Sequence, residues 1–232
     1  MNRVLVNGLM IYGFRNRLEL MNLIEKDKKC LIAINAEKIL NATEESHLLI
    51  NQNIGYADGV GAVWALKKKG LKKAIKIPGC ELWLDIVEHF YQSKSIYLVG
   101  ATEEVLQTTI DRLKLTYPEI NIVGARNGYI KNEKEKNVLL QSIESLKPDI
   151  VFVAMGSPRQ ELLIREMQKR HIAIYQGLGG SFDVFVGKVQ RAPQWWISKH
   201  LEWAYRLLRQ PFRIRRQLRL FLFLYRLFFN KY

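Results

Sequence analysis

Short apolar runs rich in β-branched residues alternate along the chain with longer segments whose apolar residues recur at three- and four-residue spacing. That alternation restricts the fold more than any other feature. The clearest strand runs are CLIAIN (30–35), SIYLVG (95–100), INIVGA (120–125), DIVFVAMG (149–156) and IAIYQGLGG (172–180). Between them PGCELWLDIVEHFYQ, TEEVLQTTIDRLKLTY, NEKEKNVLLQSIESL and SPRQELLIREMQKRH read as amphipathic helices. Thr102 and Ser157 are N-cap residue types at two of these starts, and Pro158 stands where a first-turn proline is welcome. Strands that are apolar nearly throughout need both faces covered, so the expectation is an α/β fold with a mostly parallel sheet flanked by helices.

The pattern changes near residue 195, where acids nearly vanish and Trp and Arg accumulate. We therefore expect an α/β domain over 1–194 and a helical, basic, amphipathic appendage over 195–232. Charge supports the division. The chain holds 36 Lys+Arg against 22 Asp+Glu, a net +14; the 28 residues from Tyr205 carry eight Arg and Lys and no acid, leaving +6 for the rest. A basic segment calls for a polyanionic partner, either nucleic acid or anionic lipid. Within LRLFLFLYRLFFN the longest uninterrupted apolar run, Leu220–Tyr225, is six residues. A membrane span needs about 20. Arginines at 213, 215, 216, 219 and 226 fall within roughly half of a helical wheel, with Leu, Ile and Phe dominating the rest. This predicts a helix lying on anionic lipid, each nearby basic residue contributing about 1 kcal/mol.

At the other end, MNRVLVNGLMIYGF resembles a signal peptide only until Asn7 and Gly8 break its apolar run, and it reads as a strand or hairpin. Cys30 and Cys80 make no disulfide framework and read as reduced thiols. The expected location is the cytosol.

In open α/β sheets ligands sit beyond the carboxyl ends of the strands. That rule selects Asn35 to Glu37, Asp58, Gly156 to Gln160 and Gly177 to Asp183. Asp58 precedes Gly59 and a helix starting near Val60, and two readings stand side by side: a helix cap, or a general base whose pKa is tuned by burial. Gly156 lets the backbone approach a ligand, and the amides of the following turn form an anion site to which Arg159 and Gln160 add donors; a routine βα turn is the plainer alternative. GLGGSFD offers Gly179 and Gly180 to a diphosphate, with Lys188 and Arg191 nearby, but G-x-G-G is not a dinucleotide fingerprint, which argues against an NAD-dependent oxidoreductase. LVGATEEV has a single glycine and carries little. No Asp-x-Asp occurs to hold a divalent metal on a sugar nucleotide, His47, His89, His171 and His200 are scattered, and neither a P-loop nor a Gly-x-Ser-x-Gly elbow is present. No metal and no cofactor are expected.

AINAEKIL, YADGVG, NIVGARNGYI, VFVAMGSPRQE, GLGGSFDVFVGKVQRAP and LEWAYRLLRQPFRIRRQ follow one another in an order and spacing that resemble the WecG/TagA/CpsF glycosyltransferases, glycosyltransferase family 26. The resemblance covers essentially the whole chain. It implies a Rossmann-like α/β hexosyltransferase that moves an N-acetylmannosamine-type sugar, with inversion, from UDP to a polyprenyl-diphosphate-linked N-acetylglucosamine. The setting it implies is peripheral association with the cytoplasmic face of the plasma membrane. The products would be precursors of enterobacterial common antigen, teichoic acids or capsules. AINAEK is similar to the branch that uses UDP-N-acetylmannosaminuronate; the teichoic-acid branch, with UDP-N-acetylmannosamine, favours a Thr-Pro-Asn-type sequence there. PRQE departs mildly from a pattern with Lys before Gln, and Pro78 and Cys80 stand where small residues are common.

By the same resemblance Asp58 is the base. The departing diphosphate falls to helix N-termini and to arginines, whose fork of donors matches phosphate oxygens: Arg191, and Arg206, Arg213 and Arg216 of the appendage. Asn35, Glu37 and Gln160 would hold sugar or base hydroxyls. The competing class is a nucleic-acid-binding protein stacking Trp195, Trp196, Trp203 and Phe212 on bases. The tail interleaves Arg with Leu and Phe in blocks too greasy for a solvated groove, so no nucleic-acid partner is expected.

Overall fold

The structure is a computed structural model that describes residues 2–193, 195–196, 202–209 and 222–229. Its strands are β1 (Arg3–Val6), β2 (Leu9–Tyr12), β3 (Cys30–Ile34), β4 (Ile54–Ala57), β5 (Ser95–Gly100), β6 (Asn121–Arg126), β7 (Ile150–Ala154) and β8 (Ile174–Gly177). The helices are α1 (Arg17–Lys26), α2 (Ala36–Leu40), α3 (Glu44–Asn51), α4 (Val60–Lys68), α5 (Gly79–Phe90), α6 (Glu103–Thr116), α7 (Glu133–Leu146), α8 (Arg159–Arg170), α9 (Ser181–Phe185) and α10 (Glu202–Arg209). Residues 222–228 are helical as well. Hydrogen bonding orders the strands β1-β2-β4-β3-β8-β7-β5-β6 in one sheet. β1 and β2 pair antiparallel, whereas β2 with β4, β3 with β8, β8 with β7, β7 with β5 and β5 with β6 pair parallel. The mostly parallel α/β sheet expected from the alternation is what forms.

By backbone proximity the chain divides into two units, Met1–Asn16 with Ala33–Pro78 and Gln190–Tyr232, and Arg17–Ile32 with Gly79–Val189. Residues 195–232 thus fall in the first unit.

In the first unit Asn7 and Gly8, with φ of 46° and 78°, form the two-residue turn between β1 and β2, whose register pairs Val6 with Leu9. Asn-Gly suits a tight hairpin because both central residues take positive φ. The pair that interrupts the apolar run is therefore the hairpin's corner. Asn51 braces it, accepting from the Met10 amide at 2.7 Å and donating to the Gly8 carbonyl at 2.9 Å. All four residues of β4 are buried, as a strand covered on both faces requires. Along α4, Gly61, Ala62, Val63, Ala65 and Leu66 are buried.

In the second unit β7 is wholly buried. α5 turns Leu82, Trp83, Ile86, Val87 and Phe90 inward at helical spacing. Trp83 sits fully buried with Phe152, Phe182 and Phe185 edge-on to it at 5.7, 5.5 and 5.1 Å. Such pairs add to the area they bury, by about 1 kcal/mol each. Thr102 caps α6 as expected, accepting from the Val105 amide at 3.3 Å. Ser157 does not cap α8. The helix begins at Arg159, Pro158 occupies the capping position at φ −92° and ψ 0°, and no side chain closes it. The reason is local: Gly156, at φ 77°, swings the chain out of β7, and Ser157 and Pro158 are used up in the turn that brings it back.

Candidate functional site

Each candidate within the sheet proper stands at the carboxyl end of its strand. In the first unit, β3 ends at Ile34 and β4 at Ala57, and the Asp58 amide donates to the Ile34 carbonyl at 2.9 Å. The Ile77 amide in turn donates to Ala57 O at 2.8 Å, which closes the strand end from the other direction. Asp58 is half-buried. It is not at the capping position of α4: that residue is Gly59, in extended conformation and with no side chain to offer. Asp58 precedes it.

Asn35 lies alongside. A Cβ built on Gly59 would stand 3.5 Å from the Asn35 Cβ, so the two strand ends bring Asn35 and Asp58 to neighbouring positions. Asn35 also caps α2, its Oδ1 accepting from the Lys38 amide at 2.9 Å. That oxygen keeps one further lone pair, and the amide nitrogen is the group able to donate to a ligand. Glu37 follows in the first turn of α2, half-buried and engaged by its surroundings.

In the second unit β7 and β8 are neighbours, with Val153 opposite Gly177 and the Leu178 amide donating to Val153 O at 2.8 Å. Gly156 and Gly179 take φ of 77° and 60°, and a Cβ at either, or at Gly180, would meet nothing within 4 Å. Open backbone in this conformation is what a phosphate-binding turn needs. Gln160 behaves differently. It is buried at the start of α8, its Oε1 accepts from the Gly179 amide at 2.8 Å, and a Cβ on Gly177 would strike its side-chain nitrogen. Gln160 holds the glycine turn in shape.

Gly100, the lone glycine of LVGATEEV, is spent on packing: at φ 128° its absent Cβ would fall 2.2 Å from Ala154 O. Arg191 is half-buried and engaged by its neighbours. Arg206 is on α10, while Arg213 and Arg216 lie outside the described residues. Three histidines have structural contacts. His47 Nε2 meets Asn7 O at 3.1 Å, His171 Nε2 meets Pro148 O at 2.9 Å, and His89 is edge-on to Phe90. Among the described residues no three His, Cys, Asp or Glu side chains gather as metal ligands, and no helix is long and apolar enough to cross a membrane.

One functional candidate escapes a charge reading centred on the tail. The run KKKGLKKAIK carries lysines at 67, 68, 69, 72, 73 and 76, and Lys68 reaches residues 222–229. The signal was present in the sequence: no acid lies between Asp58 and Glu81.

In each unit, glycine turns or polar residues stand at the carboxyl ends of strands, the place where open α/β sheets in general meet their ligands. The model of a family described as "Glycosyl transferase WecG/TagA/CpsF family" matches residues 12–232. The chain belongs to the WecG/TagA/CpsF glycosyltransferase family, and it is a transferase that takes a sugar from a donor to an acceptor.

Proposed function

We propose that this glycosyltransferase moves an N-acetylmannosamine-type sugar, most specifically N-acetylmannosaminuronate, from UDP to a polyprenyl-diphosphate-linked N-acetylglucosamine with inversion. The observation that carries the chemistry is Asp58: a half-buried carboxylate one residue ahead of the α4 cap, beside Asn35 and tied by its amide to the end of β3. Asp58 takes the proton from the acceptor hydroxyl as that oxygen attacks C1 of the sugar, and the C1–O bond to UDP breaks with its electron pair leaving on the diphosphate. General-base assistance of this kind contributes roughly 10²–10⁴-fold. Charge growing on the diphosphate calls for preorganised donors. The turns at Gly156 and at Gly179–Gly180, and the guanidinium groups of Arg191, Arg206, Arg213 and Arg216, are the groups we assign to it. Asn35 offers its amide nitrogen and Glu37 its carboxylate to sugar hydroxyls.

The AINAEK sequence supports the uronate donor, and the basic tail over 195–232 supports work on a lipid-borne acceptor at an anionic membrane surface, on its cytoplasmic face. A panel of UDP-N-acetylhexosamines and their uronates, offered with a short-chain lipid-diphosphate N-acetylglucosamine, tests the reading. Product is expected with UDP-N-acetylmannosaminuronate; turnover of UDP-N-acetylmannosamine alone would move the assignment to the teichoic-acid type.

A further inference from the structure

Residues 222–229 lie along α4 rather than apart from it. Phe223 is fully buried, and Gly61 leaves the room it occupies: a Cβ there would stand 3.1 Å from the Phe223 ring. Seven residues further along α4, the Lys68 ammonium donates to the carbonyl of Leu227 and, at 2.9 Å, to that of Phe228. A lysine on the last carbonyls of a helix satisfies acceptors that have no partner within it. Leu227 is buried as well. One face of this segment is thus packed.

Its other face is open. Phe228 is 75% exposed and Phe229 63%, with Leu222 and Tyr225 exposed beside them. Trp64, 46% exposed, precedes Lys67 and Lys68 by one turn of α4. The same helix ends on Lys67 and Lys68, and the rest of the lysine run follows it. Lys67, Lys68, Lys69, Lys72 and Lys73 are exposed, and among the described residues neither Lys67, Lys72 nor Lys73 has a carboxylate partner. Exposed aromatics and exposed ammonium groups, linked through Lys68, supply an apolar part that suits acyl chains and a charge that suits lipid phosphates.

We propose that Trp64, the lysine run Lys67–Lys76 and the open face of residues 222–229 form a single docking surface for an anionic lipid bilayer. Lys68 joins its basic and apolar halves. The inference deepens the membrane reading given above, because it moves much of the electrostatic attraction from the tail arginines to a run embedded in the fold. Nucleic acid is the weaker fit, since four exposed apolar side chains on the tail segment would gain nothing from a phosphate backbone.

The test uses the full chain and sedimentation with two vesicle types, phosphatidylglycerol-containing and pure phosphatidylcholine. Variants are Lys67→Gln/Lys72→Gln/Lys73→Gln, the same three to Glu, and Phe228→Ser/Phe229→Ser. Each lysine is worth about 1 kcal/mol near such a surface, so the Gln triple variant is expected to partition on the order of 100-fold less onto anionic vesicles, and the Glu variant less still. Turnover of a water-soluble, short-lipid acceptor should persist in all three. The Phe variant is expected to lose binding to both vesicle types. Undiminished binding of the Gln and Glu variants, while the Phe variant is released, would overturn this inference and leave a tail-only anchor standing. Failure of the unaltered chain to sediment with either vesicle would overturn both. Displacement from vesicles by an oligonucleotide that binds through the same lysines would reassign the surface to nucleic acid.

Discussion

The Gly179 amide donates to Gln160 Oε1 at 2.8 Å, so the first turn of α8 and the glycine loop after β8 are one rigid corner. Gln160 is buried, and removing it leaves the Gly179 amide without that acceptor. A lost buried hydrogen bond costs about 1–3 kcal/mol. Gln160→Ala is expected to weaken donor binding, raising KM several-fold with a smaller effect on kcat, because the loop it shapes loosens while Asp58 is untouched. Initial-rate kinetics across donor concentration read the split. An unchanged KM would mean that the loop holds its shape unaided.

Asp58→Asn keeps the shape of the side chain and removes its basicity. The expected result is a loss of roughly 10²–10⁴-fold in kcat with UDP affinity and thermal midpoint nearly unchanged. Retention of most of the activity would reduce Asp58 to a structural residue at the start of α4.

Activity should survive EDTA. The sequence has no Asp-x-Asp, and the charge on the diphosphate is assigned to arginines and backbone amides. Turnover that collapses in chelator and returns with Mg²⁺ or Mn²⁺ would refute that assignment.

Phe223→Ala should destabilise the protein. The ring is fully buried against α4, and emptying such a site costs about 3 kcal/mol or more. Denaturant titration measures it. Deletion after Gln217 removes Phe223 and Leu227 together, so the shortened chain is expected to melt earlier as well as to leave vesicles; a midpoint equal to that of the full chain would show that these contacts add nothing.

Asp149 ties the starts of β5 and β7 together. Its Oδ2 accepts from the Ser95 amide and hydroxyl at 3.1 and 3.0 Å, its own amide donates to Ser95 Oγ, and Lys28 pairs with Oδ1 at 3.2 Å. Burial pushes its pKa up, but the Ser95 amide, Lys28 and the Ser95 hydroxyl together bring it below the ordinary 3.8. With the folded value depressed, its contribution to stability is present above that ordinary value and fades as pH falls through the lowered one. The stability gap between the unaltered protein and Asp149→Asn should be widest near neutral pH and narrow below about pH 4. A gap independent of pH would refute the linkage.

Local signals were legible where they decide local structure. The apolar strands, the Thr102 cap and the Asn7–Gly8 break each read correctly because spacing and residue type suffice for them. Ser157 misled because cap preference says nothing of the detour that Gly156 forces. Asn35 and Asp58 are recognisable as strand-end residues from sequence alone, but their adjacency depends on the pairing of strand ends distant in sequence. Gln160 reads from the sequence as a ligand contact, and its bond to Gly179 spans 19 residues that no local pattern reports. For the tail, amphipathicity predicted an apolar face without telling which part of it α4 would cover.

The division of the chain also sets the order in which its parts can be completed during synthesis. Every residue of the unit built from Arg17–Ile32 and Gly79–Val189 has left the ribosome once Val189 has. The other unit, which holds Asp58, still waits for Phe223 to cover Gly61 and for carbonyls to reach Lys68. A nascent chain therefore acquires the packing that finishes the Asp58 unit and the exposed aromatic face of residues 222–229 from the same stretch at nearly the same moment. Completion of the Asp58 unit and display of the exposed aromatic face of residues 222–229 are then timed together, which limits how long a half-built unit with a bare α4 meets solvent.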